Sequence, residues 1–116
     1  MTSLTIYHNP RCSKSRQTLQ LLEEKGESPE VVMYLDNPPS AEELTALLGK
    51  LGISARELLR SGEDAYKELN LKNKDLDEQT LIDAMVAHPK LIQRPIVVKG
   101  DRAVLGRPPE NALELL

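Results

Sequence analysis

The sequence contains no tryptophan, no phenylalanine and a single cysteine among its 116 residues. Each shortage excludes something. Without the large aromatics the core must be built from Leu, Ile, Val and Ala, and the platforms on which nucleic-acid modules stack bases are missing. A net charge of -3 argues the same way, because a phosphate backbone selects basic surfaces. No nucleic-acid partner is expected. One cysteine excludes an internal disulfide framework, and beside only two histidines it leaves too few ligands for a zinc cage made by one chain. No apolar run reaches the length of a membrane span, so no membrane partner is expected. The opening Met1-Thr2-Ser3-Leu4-Thr5-Ile6-Tyr7 lacks the basic and apolar regions of a secretory signal, and the expected location is cytoplasmic. What is present is ordinary for a globular protein: 40% hydrophobic and 28% charged residues, in a length suited to one domain spanning 1–116.

Patterning along the chain gives the order of elements. Leu4-Thr5-Ile6-Tyr7 reads as a strand and His8-Asn9-Pro10 ends it. From Cys12 or Ser13 the period becomes helical, through Leu19, Leu21 and Leu22, with Gly26 as the stop. Val31-Val32-Met33-Tyr34-Leu35 reads as a second strand, which completes a β-α-β unit with a parallel pair. Ser40-Ala41-Glu42-Glu43 and Ser54-Ala55-Arg56-Glu57 have the capping-box pattern of helix starts. A short amphipathic piece with Tyr66 and Leu69 follows, then a helix from Asp77 through Leu81, Ile82, Met85 and Val86 to His88-Pro89. Pro95–Lys99 and Arg102–Leu105 flank Gly100-Asp101 and read as an antiparallel hairpin, followed by a short helix over Glu110–Leu116. The expectation is an α/β fold with a β-α-β…β-β-α core and a helical insertion at about 40–92.

The lone cysteine is the first candidate for chemistry. Cys12 stands where the first strand gives way to the first helix, so it meets unpaired amides and the positive end of the macrodipole. Both favour a thiolate. Arg11, Lys14 and Arg16 add positive charge, His8 adds more if protonated, and the hydroxyls of Ser13 and Ser15 have the reach to point at the sulfur. A structural buried cysteine has apolar neighbours; this one has Arg, Ser and Lys, which favours a working nucleophile. Cys12-Ser13-Lys14-Ser15 is C-x-x-S, so a redox cycle must borrow its second thiol from another molecule. A cysteine-phosphatase loop would need Arg at position 18, which is Thr18.

Arg60, Arg94 and Arg107 each sit at the end of an element. The planar guanidinium fork matches tetrahedral oxyanions, although each taken alone reads first as a solvated surface charge. Arg94-Pro95 opens a strand, where an X-Pro bond is a candidate for the cis form.

Taken together, His8-Asn9-Pro10-x-Cys12-x-x-Ser15-Arg16, Tyr34-Leu35-x-x-Pro38-Pro39, Leu58-Leu59-Arg60, Arg94-Pro95-Ile96-Val97-Val98 and Gly106-Arg107-Pro108 resemble the ArsC family of glutaredoxin-linked arsenate reductases. The resemblance runs along essentially the whole chain. It is closest to bacterial members with Arg-Cys-Ser-Lys-Ser-Arg at the active loop. It implies a thioredoxin-like (glutaredoxin-like) fold, Cys12 as nucleophile, Arg60, Arg94 and Arg107 as ligands of arsenate or a related oxyanion, Pro95 as a cis proline beside the cysteine, and His8 and Ser15 as groups that help keep the thiol ionised. It also implies no bound cofactor and glutathione as co-substrate. In the reaction it implies, the thiolate attacks arsenate, glutathione enters, glutaredoxin removes the glutathionyl group and arsenite leaves. Two other readings share these residues: a monothiol glutaredoxin-like thiol-disulfide oxidoreductase, and an Spx-type regulator that binds RNA polymerase. The second of these usually carries C-x-x-C, against which Ser15 counts.

Overall fold

The alternation Leu4-Thr5-Ile6-Tyr7 forms the first strand, β1 (Leu4–Tyr7), with Leu4 and Ile6 buried and Thr5 and Tyr7 half-buried. The computed structural model describes residues 4–116, and these fall into two compact units. One runs up to Asn37 and resumes at Arg94; the other is Pro38–Gln93.

In the first unit, β1 leads through the loop 8–12 into α1 (Ser13–Glu24), whose N-cap is Cys12. The helix buries Ser15, Thr18 and Leu22 and stops where Gly26 takes φ 82°. β2 (Glu30–Val32) pairs parallel to β1, with Ile6 opposite Val31. The strand expected over 31–35 is therefore shorter. The amides of Asp36 and Asn37 both donate to the Met33 carbonyl at 2.9 Å, which folds Tyr34, Leu35 and Asp36 into a turn. An unbroken apolar run carries no alternation to separate strand from buried turn, and the turn buries Tyr34 to 1% exposure.

β3 (Ile96–Lys99) lies antiparallel to β1, and β4 (Arg102–Leu105) lies antiparallel to β3 across a turn in which Gly100 has φ 63°. The sheet order is β2-β1-β3-β4. One face is covered by α1 and by a C-terminal 3₁₀ helix (Pro109–Leu115). There Leu4, Ile6, Leu22, Val97, Ala112 and Leu115 form a core with Leu19 and Val104 at its margin. The helix expected over 110–116 is thus 3₁₀ in type and begins one residue earlier, at Pro109. Proline suits a helix's first position because its missing N–H has no intrahelical partner there.

The second unit is helical. Ser40 Oγ accepts from Glu43 N at 3.1 Å and starts α2 (Ala41–Leu51), which buries Leu44, Leu47 and Leu48 and ends at Gly52 with φ 71°. α3 (Ala55–Leu58) opens with both arms of the Ser54–Glu57 capping box. α4 (Asp64–Glu68) buries nothing, and Leu69 after it is 44% exposed, so the amphipathic piece expected there has no buried face. α5 (Glu78–Ala87) is capped by Asp77, which accepts from Thr80 N at 2.8 Å, and it buries Leu81, Ile82 and Met85. Leu59 bridges antiparallel to Ile92, and Arg60 N donates to Leu91 O at 2.8 Å. Among the described residues no helix is long and apolar enough to cross a membrane.

Candidate active site

The loop between β1 and α1 is tied down before it reaches the cysteine. His8 N donates to Val32 O at 2.9 Å and fixes the strand end, and Cys12 N donates to Asn9 O at 3.0 Å and closes the loop. Asn9 Oδ1 accepts from Arg11 N at 3.0 Å, an Asx-type turn, and Arg16 Nη1 reaches back to Pro10 O at 2.9 Å. His8 and Asn9 are both 6% exposed. The backbone thus delivers Cys12 to the N-cap of α1 in extended geometry, φ -95° and ψ 122°. Cys12 itself is half-buried and free.

Burial pushes the Cys12 thiol up. The Ser15 amide, then the Arg94 guanidinium and the Lys14 amide, outweigh it and bring the thiol below its ordinary value. The lowering comes from hydrogen bonding by the amides of the helix start and by the Arg94 side chain, with the Arg94 charge beside them, all of which favour the thiolate. Ser15 contributes through its backbone. Its fully buried hydroxyl accepts from Asn9 N at 3.0 Å and pairs with His8 Nδ1 at 2.7 Å, where the sequence had allowed it to point at the sulfur. His8 does not supply the extra charge expected of it. Burial, and then the Arg16 charge, hold the imidazole below its usual value. It anchors the loop.

Arg94 and Arg107 come together. Arg107 is exposed, and its Nη1 donates to the Arg94 carbonyl at 3.4 Å. Both Arg94-Pro95 and Arg107-Pro108 are cis. What sets this pair against α1 is a packing the sequence reading did not single out. Gly106 N donates to Pro95 O at 2.9 Å, and Thr18 Oγ1 donates to Lys14 O at 2.8 Å and approaches Gly106 O at 3.2 Å. A Cβ on Gly106 would lie 2.7 Å from Thr18 Oγ1 and 2.8 Å from Pro95 Cγ. The signal for it was a glycine at a strand end beside Arg-Pro, read only as a closing turn. Arg60 belongs to the helical unit, half-buried after α3, with Nε 3.5 Å from Glu63 Oε1 and Nη1 3.4 Å from Gln93 Oε1. Among the described residues no group of three or more His, Cys, Asp or Glu could hold a metal ion.

A free cysteine thus stands at a strand-to-helix turn, with an Arg-Pro segment at the start of β3. The family model of the ArsC family matches residues 7–115. The chain belongs to the ArsC family. It is 60% identical over 112 residues to the "Uncharacterized protein YfgD" of Escherichia coli (strain K12), covering 96% of this chain and 94% of that one. It is 50% identical over 115 residues to the arsenate reductase of Haemophilus influenzae, covering 98% and 99%. A solved structure of an arsenate reductase from Vibrio cholerae matches with a TM-score of 0.96 at 52% identity, covering 99% of this chain and 98% of that one. The mixed four-stranded sheet with its helices is the thioredoxin-like α/β fold of these ArsC-family structures.

Proposed function

We propose that this protein is an arsenate reductase in which Cys12 is the nucleophile and in which glutathione and glutaredoxin supply the electrons. The observation that carries the reading is the Cys12 thiol, lowered by the Ser15 amide and the Arg94 guanidinium, in a chain half identical to an arsenate reductase along its length. A thiolate stabilised at a helix start is a nucleophile at neutral pH. Arg94 and Arg107, held together through the Arg94 carbonyl, offer guanidinium forks for a tetrahedral oxyanion. The family resemblance adds Arg60 as a third.

In this reading the sulfur attacks arsenic, an S–As bond forms, an As–O bond breaks and the oxygen leaves as water. Glutathione displaces a second oxygen in the same way. A glutaredoxin thiol then takes the glutathione sulfur into a mixed disulfide. The electron pair of the broken As–S bond stays on arsenic, which falls from the pentavalent to the trivalent state, and water releases arsenite from Cys12. The two electrons come from two outside thiols, as a chain with one cysteine requires. The chemistry calls for no bound metal. It needs a reducing compartment, which fits a cytoplasmic protein. His8 and Ser15 hold the loop, and Pro95 sets Arg94 at the start of β3. The two units act as one domain, with the helical unit as an insertion.

The test is arsenite production from arsenate with glutathione and glutaredoxin. Wild type is expected to turn over, Cys12→Ser to produce none, and Arg60→Ala, Arg94→Ala and Arg107→Ala each to raise KM for arsenate. Full activity in Cys12→Ser would falsify the reading. Untouched activity in all three arginine variants, with reduction of glutathionylated proteins in place of arsenate, would favour the monothiol oxidoreductase.

A further inference from the structure

Beside the reactive loop lies a cleft of about 320 Å³, walled by residues 8–11 on one side and by Met33, Leu35 and Asp36 on the other. It lies where β1 and β2 end, and one of its walls is the chain segment that runs into Cys12. Its volume is at the lower end of small-molecule sites.

His8 lines the cleft, and the position of its ring proton follows from its partner. Ser15 is fully buried, and its hydroxyl already accepts the Asn9 amide at 3.0 Å. The hydroxyl's own hydrogen has one acceptor, His8 Nδ1 at 2.7 Å. If Nδ1 carried the ring proton, a buried Ser15 hydrogen would be left without a partner, which is the costly arrangement. His8 is therefore neutral with its proton on Nε2, an assignment from the hydrogen-bond network, and burial followed by the Arg16 charge favours the same neutral form. Among the described residues Nε2–H has no partner; it is open to solvent, and His8 lines the cleft. At the rim, the guanidinium of Arg11 and the carboxylate of Asp36 are exposed, and neither holds a partner among the described residues. Pro10, Met33 and Leu35 supply apolar wall between them.

A neutral donor, a cation and an anion around one cleft do not suit an inorganic oxyanion, which Asp36 would repel. They suit a small zwitterion with an amide backbone. We propose that this cleft seats the thiol co-substrate, a zwitterionic thiol peptide of the glutathione class. Its ammonium faces Asp36, a carboxylate faces Arg11 and an amide carbonyl accepts from His8 Nε2–H. This rests on the thiol-coupled reading above and adds to it a binding site separate from the arginines assigned to the oxyanion.

The experiment is a ¹⁵N–¹H titration of the Cys12→Ser protein with S-methylglutathione, which cannot react. Saturable shifts are expected at Arg11, Met33, Leu35 and Asp36. Arg11→Glu and Asp36→Lys should each raise Kd about five-fold, the scale of one exposed ion pair, while Arg11→Lys should bind as the parent does. Shifts confined to Ile96 and Arg107 around Pro95, or no saturable shift at millimolar ligand, overturn the proposal. The parent readings separate cleanly. Binding in the cleft, together with a wild-type protein that makes no arsenite, supports the site and overturns the arsenate reading. Arsenite production without shifts in the cleft overturns the site alone.

Discussion

Gly106→Ala tests how the site is held. The new Cβ would stand 2.7 Å from Thr18 Oγ1, 2.8 Å from Thr18 Cγ2 and 2.8 Å from Pro95 Cγ. None of these is the free end of a flexible side chain. Thr18 is fully buried, with its one hydroxyl hydrogen shared between the Lys14 and Gly106 carbonyls, and Pro95 is a buried ring. Overpacking of this kind costs about 2 kcal/mol. Losing the 3.2 Å Thr18–Gly106 bond adds about 1 kcal/mol. For a domain of this length each kcal/mol lowers Tm by about 4 °C, so a fall of about 12 °C is expected by thermal unfolding. The same shift moves Arg94-Pro95, and with it one of the groups that favours the thiolate, so the iodoacetamide rate of Cys12 at neutral pH should fall in the folded variant. A double-mutant cycle localises the effect: in a Thr18→Ala background the glycine substitution should cost at least about 1 kcal/mol less, because the two residues touch. A Gly106→Ala protein with wild-type Tm and wild-type alkylation would refute the reasoning.

Two further outcomes follow from the same geometry. Arg94→Ala removes a cation that favours the Cys12 thiolate, so alkylation at pH 7 should slow, with Arg94→Lys recovering part of the rate; equal rates in all three proteins would show that the helix start alone activates Cys12. His8 titrates below the usual imidazole value of 6.5 in the folded chain, so the unfolded chain binds the proton first as pH falls. Stability from neutral His8 is therefore present above 6.5 and is lost as pH drops from there through the folded value. Urea midpoints at pH 7.5 and 5.5 should separate more in wild type than in His8→Gln, and an equal separation would mean that the imidazole is not the titrating group.

Much of the fold is legible in the chain because its signals are local. Alternation marks β1, serine followed three residues later by glutamate marks the starts of α2 and α3, and Gly100-Asp101 between β-branched runs marks the hairpin. The run 31–35 fails as a strand because the competing signal is a pair of backbone bonds to Met33 O, which no side chain announces. The C-terminal segment reads as a helix from Glu110, but the 3₁₀ helix starts at Pro109. Cys12 at a helix start is likewise a local fact, and the sequence alone nominates it as the working thiol and leaves any second thiol to another molecule. Which groups act on that thiol is not local. The sequence offers His8 as a charge and Ser15 as a hydroxyl donor. Burial makes His8 a neutral anchor, and the Ser15 hydroxyl is spent on His8 and Asn9, leaving its backbone to face the sulfur. Arg94 lies 82 residues from Cys12 in the chain and reaches it only because β3 pairs beside β1. Proximity across that pairing, and the desolvation that comes with packing, are properties of the folded chain. They decided the site that the sequence could only nominate.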